Sequence, residues 1–207
     1  MEDDMWDEKS RGVMLAAKSL ADTCESIAKM MEVIGGGLSD VDENCPEFYL
    51  GQIYGEQSYN QNNAHKWIME YWGACYQPVG VGGAGNVKLK AGDQVIAVTV
   101  QFYSRRLKEL EQAELWMAIC SMKESPHPTA PIYMLSGAYY RFWDEATRKL
   151  PEYGRWMTSK VAKSSAATFD FTLSRQPLCK LENRDAVKEL VVIPLKKRYH
   201  DFTKASG

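Results

Sequence analysis

The chain has 207 residues, 45% of them hydrophobic and 25% charged. This is the balance of an ordinary globular protein, and it excludes wholesale disorder and collagen-like or low-complexity character. No apolar run approaches the length that crosses a bilayer, and Met1-Glu2-Asp3-Asp4 is acidic where an export signal is basic and then apolar, so a soluble, non-exported protein with no membrane partner is expected.

The net charge of −2 hides a division along the chain. Residues 1–104 hold fifteen acids against seven bases, and residues 105–207 hold twelve against eighteen. A basic second half suits phosphate neutralisation, and two unlike halves suit head-to-tail attraction between copies; charges that cancel locally over solvated faces are the plain alternative. Cys24, Cys45, Cys75, Cys120 and Cys179 are an odd, widely spaced set without a C-x-x-C pair, which points to free thiols in a reducing compartment rather than to disulfides or a zinc site.

The first element is a helix. Val13, Ala17, Leu20, Cys24, Ile27, Met31 and Ile34 recur at alternating intervals of four and three, the spacing of one helical stripe. Gly35-Gly36-Gly37 is expected to end it, and 36–59 reads as loop. Ala64, Trp67, Ile68, Tyr71, Trp72 and Cys75 predict a second helix over 62–76, stopped by Pro78. Gly80-Val81-Gly82-Gly83-Ala84-Gly85 lacks the lysine and the flanking elements of a phosphate loop and reads as a hinge.

Val95 to Phe102 fits a strand by β-branching and a helix by spacing, so its periodicity leaves the choice open. Leu107, Leu110, Ala113, Met117 and Cys120 predict a helix over 105–123, which makes Glu109, Glu111 and Glu114 solvated helix-surface acids. Beyond Pro126, Pro128 and Pro131 a helix is expected from Ile132 to Leu150, then a short helix within 155–175, then a helix from Asn183 to Val192 ended by Pro194, then a basic tail from Lys196 to His200. The sum is a mainly α fold with a helical core, extended N- and C-terminal arms and at most a small β element.

The three histidines, His65, His127 and His200, have no metal-ligand spacing to one another or to a cysteine, and no nucleophile motif is present. The residues therefore imply neither a catalytic set, nor a metal, nor a cofactor. The richest pattern is the mixture of rings and cations from Tyr139 to Lys163, including Arg141, Trp143, Tyr153, Arg155 and Trp156. Cations hold phosphates and flat rings stack on unpaired bases, although rings at helical spacing serve a core equally well.

Pro151-Glu152-Tyr153-Gly154, followed sixteen positions after Tyr153 by Phe169-Asp170-Phe171, resembles the core of coat proteins from flexible filamentous plant viruses, the potyvirus type above all. Ile119-Cys120 with Ser125-Pro126, and Ala138-Tyr139, add to the resemblance. It implies a non-enzymatic capsid subunit of the virion and host cytoplasm that polymerises helically around single-stranded RNA. On that pattern residues 1–60 are an assembly arm, 61–180 a helical core with the RNA groove and 181–207 a basic C-terminal arm. The family's RNA pocket has a serine, an arginine and an aspartate. Ser125 and Asp170 match the first and last, and Arg141 and Arg155 are the arginines nearest in sequence, the matching position being taken by Pro126 to Pro131. The alternative reading from the residues alone is a non-enzymatic helical adaptor that binds a partner protein through the Val13 to Ile34 stripe.

Overall fold

The computed structural model describes residues 2–42, 45–55, 71–79, 91–102, 111–123, 151–163 and 168–206. Within them, runs that alternate between two faces decide the architecture. Six strands, β1 (Phe48–Gly55), β2 (Tyr71–Pro78), β3 (Gln94–Gln101), β4 (Glu114–Met122), β5 (Met157–Lys163) and β6 (Thr168–Pro177), form one sheet in the order β1-β2-β3-β4-β6-β5. Every neighbouring pair is antiparallel. The mainly α expectation is therefore overturned: the described residues form an antiparallel sheet with a helical layer on one face.

The physical reason for the misreading lies in burial. On β3 and β4, Ile96 pairs with Ile119, Val98 with Met117 and Val100 with Leu115, all in the core beneath the helices. The intervening residues Val95, Ala97, Thr99, Trp116 and Cys120 point to the other face and are buried as well. A strand buried on both faces shows no polar alternation. The helix expected over 105–123 is thus β4 from Glu114 onward, and β3 resolves as strand.

The helix expected over 62–76 gives way, in its described part, to β2, and the short helix expected within 155–175 gives way to β5 and β6. The loop expected over 36–59 contains β1. The 80–85 hinge and the 132–150 helix lie outside the described residues.

The first helix is present as α1 (Glu2–Ser39), and it passes straight through the three glycines. It ends with Asp40 N–H bonded to Gly36 O at 3.2 Å and with Ser39 Oγ donating to Gly35 O at 2.9 Å. The glycines serve proximity instead: a Cβ on Gly37 would lie 2.8 Å from Val192 Cγ1, so its absence lets α1 approach the C-terminal helices.

Those helices begin where Asn183 Oδ1 accepts from Ala186 N–H at 2.9 Å, a cap for α2 (Arg184–Val187). A wide turn, Lys188–Val192, follows and leads into α3 (Ile193–Ser206), so Pro194 does not end the helix. Ile193 N–H reaches back five residues to Lys188 O. That wider spacing relaxes the i→i−4 ladder where proline supplies no donor and its ring would crowd a carbonyl.

Ile27, Met30, Met31, Ile34 and Leu38 of α1 and Val187, Val191, Leu195, Tyr199 and Phe202 of the last helices cover the sheet face. Phe48 and Tyr199 meet edge to face at 4.8 Å, a geometry worth about 0.5–1.5 kcal/mol beyond area burial. Polar contacts fix α3 across the sheet. Thr203 Oγ1 donates to Gln94 Oε1 at 2.7 Å, and Arg198 donates to Thr172 Oγ1 and Thr158 Oγ1 at 3.1 and 2.7 Å.

Two adjacent glycines should respond oppositely in urea unfolding. Gly37→Val, forced against Val192, should cost about 1–3 kcal/mol, whereas Gly36→Ala, with nothing within 4 Å of the new Cβ, should add about 0.5–1 kcal/mol through helix propensity.

Candidate functional site

Helix length sets up the site. Thirty-eight residues of α1 rise about 57 Å, whereas an eight-residue strand spans about 27 Å. Along β2, a Cβ on Gly35 would lie 3.6 Å from the Tyr76 ring, while Cys24, Ile27 and Ala28 line a hollow with Trp72 and Phe102. Trp72 is one residue from the start of β2 and Phe102 directly follows the end of β3. The helix before Cys24 therefore runs beyond the described strands.

Its apolar stripe does not stop there. Seven residues turn a helix through nearly two full turns, so Val13, Leu20, Ile27 and Ile34 share one side. Ile27 and Ile34 are buried, but Leu20 is 41% and Val13 71% exposed, and Met14 and Leu15 beside them are each 62% exposed. Ala17 and Cys24 on the same stripe are exposed too. The hollow at its base measures about 180 Å³ and is almost wholly apolar.

A second concavity, of about 580 Å³, lies at the opposite end of α1, beside α3. Cys45, Ile193, Lys196, Lys197 and His200 line it together with Asp42 and Asp201. Lys196 Nζ lies 3.4 Å from Asp42 Oδ2 and also donates to Asp40 O. Burial, with Asp42 adding to it and Lys196 opposing, pushes the Cys45 thiol up to about 11. Ile193 is exposed on the groove wall.

On the far sheet face, Glu114 is 1% exposed and fully engaged. Arg175 Nη1 donates to both its oxygens at 3.0 and 3.2 Å, Trp116 Nε1 donates to Oε2 at 2.9 Å and the Tyr153 hydroxyl donates to Oε1 at 2.7 Å. Arg175 Nε donates to Pro151 O at 2.7 Å, and its guanidinium stacks 4.5 Å from the Tyr153 ring. Gly154, at φ +74°, donates to Arg175 O at 3.0 Å. Burial first, then the hydrogen bond to Glu114, raises the Tyr153 hydroxyl above its ordinary range. The cluster clamps the Pro151-Glu152-Tyr153-Gly154 turn onto β4 and β6, and it corrects the expectation of Glu114 as a solvated helix acid.

Of the four residues expected to hold RNA, Ser125 and Arg141 lie outside the described residues. Asp170 is in β6 and pairs with Lys123 Nζ at 2.8 Å. Arg155 is in the turn and pairs with Glu152 at 2.8 Å, both side chains largely exposed. Arg155 stands next to the Arg175 end of β6, five residues and about 17 Å of strand from Asp170, so these two are not brought together. Trp156, expected among the stacking rings, has the Arg198 guanidinium 5.9 Å from its ring. Among the described residues, no group of three or more His, Cys, Asp and Glu is placed to hold a metal ion.

Reading by residue missed the Glu114–Arg175 pair. The two are sixty-one positions apart, and only the β4–β6 register brings them within reach. No family model, curated protein or solved structure matches the chain.

Two measurements check these environments. Near pH 8 a maleimide should label exposed Cys24 and Cys179 in the folded protein but spare Cys45, Cys75 and Cys120, which are buried and held as neutral thiols. Arg175→Met should lower stability by about 3–5 kcal/mol by stranding Glu114, and Arg175→Met with Glu114→Leu should recover much of that loss in the same denaturation assay.

Proposed function

We propose that this chain is a non-enzymatic binding module whose working surface is the projecting half of α1, with the apolar surface of another polypeptide as its target. One observation carries the reading: a single apolar stripe is buried from Ile27 onward and exposed from Val13 to Cys24. Isolated apolar residues on a surface are ordinary, but Val13, Ala17, Leu20 and Cys24 continue the buried stripe on the same face of the helix and are all exposed. Burying a valine or leucine side chain is worth about 1.5–3 kcal/mol, enough for a few such residues to support specific capture. An unsupported helical segment is marginal in water, so a partner that covers the stripe also stabilises the helix.

The encapsidation reading has less support. The resemblance implied a helical core, and the two described members of the expected pocket lie apart, each with a carboxylate–cation partner of its own. RNA sheathing therefore remains an outcome of the test rather than the preferred reading.

Val13→Asp with Leu20→Asp should abolish capture of partner protein from an extract of the source cells while leaving the melting temperature unchanged, because neither side chain is in the core. Unchanged capture, or a melting temperature several degrees lower, would count against the proposal. In the same preparations, binding to unpaired RNA that weakens steeply with salt would favour encapsidation instead.

A further inference from the structure

We propose that Arg198 is a binding site for a carboxylate: two threonine hydroxyls of β5 and β6 fix its guanidinium and leave the end of the fork to a ligand.

Charge makes the first argument. Two other covered cations each stand against an acid, Arg175 at 3.0 Å from Glu114 and Lys196 at 3.4 Å from Asp42. Arg198 is half-buried too, yet its partners among the described residues are all neutral: the hydroxyls of Thr172 and Thr158 and the ring of Trp156. Asp170, two positions before Thr172 on the same face of β6, is held by Lys123 at 2.8 Å. A guanidinium does not lose its proton in a protein, so this positive charge has no acid bonded to it among the described residues.

Geometry makes the second. Nε–H and one Nη2–H lie along the same side of the guanidinium, and both are taken: Nε donates to Thr172 Oγ1 at 3.1 Å and Nη2 to Thr158 Oγ1 at 2.7 Å. Thr158 and Thr172 are direct partners across the two strands, and the Thr158 hydroxyl donates to Thr172 Oγ1 at 3.2 Å. The remaining edge, between Nη1 and Nη2, carries two parallel N–H groups whose spacing matches the two oxygens of a carboxylate. Because the threonines already hold the side chain, a ligand meets a fork whose ordering cost is met in advance.

Position and charge count make the third. β5 is the last strand of the sheet and Thr158 is exposed, so this end of the arrangement opens to solvent. One guanidinium balances one negative charge. Among the described residues no second cation is bonded to these threonines, and Lys196 and Lys197 line the groove at Asp42 and Cys45 instead. A carboxylate monoanion fits that count better than a phosphate dianion, and it can come from a small free acid or from the carboxyl end of a peptide.

Titration of the ¹⁵N-labelled full-length protein with sodium acetate, at ionic strength held constant with sodium chloride, should shift the Arg198 Nε–H resonance saturably, with a Kd on the order of 1–10 mM. Arg198→Lys keeps the charge but loses the fork, and binding read at the Thr158 and Thr172 amides should weaken about tenfold or more. Thr158→Val should also weaken binding, whereas Thr158→Ser, which keeps the hydroxyl, should bind as the wild type does. Thr158 is exposed, so both of these variants should melt with the wild type and separate binding from folding. A tripeptide with a free carboxyl end that binds more tightly than acetate, while its amidated form does not bind, supports the site and identifies a chain end as the source; acetate and peptide of equal affinity support it and identify a small acid.

Shifts that chloride alone reproduces overturn the inference, as does an Arg198→Lys protein that binds as the wild type does, or Thr158→Val and Thr158→Ser proteins that do not differ. Inorganic phosphate binding tenfold more tightly than acetate overturns the assignment to a carboxylate. The site shares no residue with the projecting half of α1, so loss of partner capture in Val13→Asp with Leu20→Asp leaves this titration unchanged and the two readings fail separately.

Discussion

A helix more than twice as long as the strands it packs on cannot be covered by its own sheet. α1 and β2 run side by side only from about Cys24 to Gly35, because a helix advances about 1.5 Å per residue and a strand more than twice that. The C-terminal part of α1 supplies five residues to the core; the N-terminal part, with the same stripe in the same phase, meets none of the described strands. That mismatch divides one element into a structural half and a projecting half. It also separates the exposed stretch of α1 from the groove beside α3, which sits where α1 ends.

Legibility followed the range of the interactions. The α1 stripe could be read because i, i+3 and i+4 contacts are local. The role of its glycines could not, since Gly37 is explained by Val192, 155 positions away. The helix after Asn183 was expected from the sequence, but its passage beyond Pro194 depends on a wide turn that no spacing rule announces. β4 was misread because Leu107, Leu110, Ala113, Met117 and Cys120 keep helical intervals, while the alternation that matters sets Leu115, Met117 and Ile119 against Trp116, Ala118 and Cys120, with both sets largely apolar. The buried Glu114–Arg175 pair was invisible for the plainest reason: pairing across a sheet is a tertiary fact.

The two motifs that carried the viral resemblance are local structures held to the sheet. Pro151 to Gly154 is a turn held by its carbonyl, its tyrosine hydroxyl and its left-handed glycine against Arg175 and Glu114. Phe169 to Phe171 is the opening of β6, where Phe171 is buried and Asp170 pairs with Lys123. Both contact the same strand, at opposite ends. Between them in the sequence stands β5, which pairs with β6.

Strand order also sets a timetable for the nascent chain. β1 to β4 pair in succession as they emerge, but β4 waits for β6, which is complete only 55 residues later, an interval of about 3–11 s at ordinary rates of synthesis. Until then its outer edge is an open row of donors and acceptors. The core beneath waits longer, because Val191, Leu195, Tyr199 and Phe202 leave the ribosome after β6. A chain stalled or clipped before α3 would expose half-covered β3 and β4 at their most apolar, and such fragments are the species that quality-control machinery would meet first.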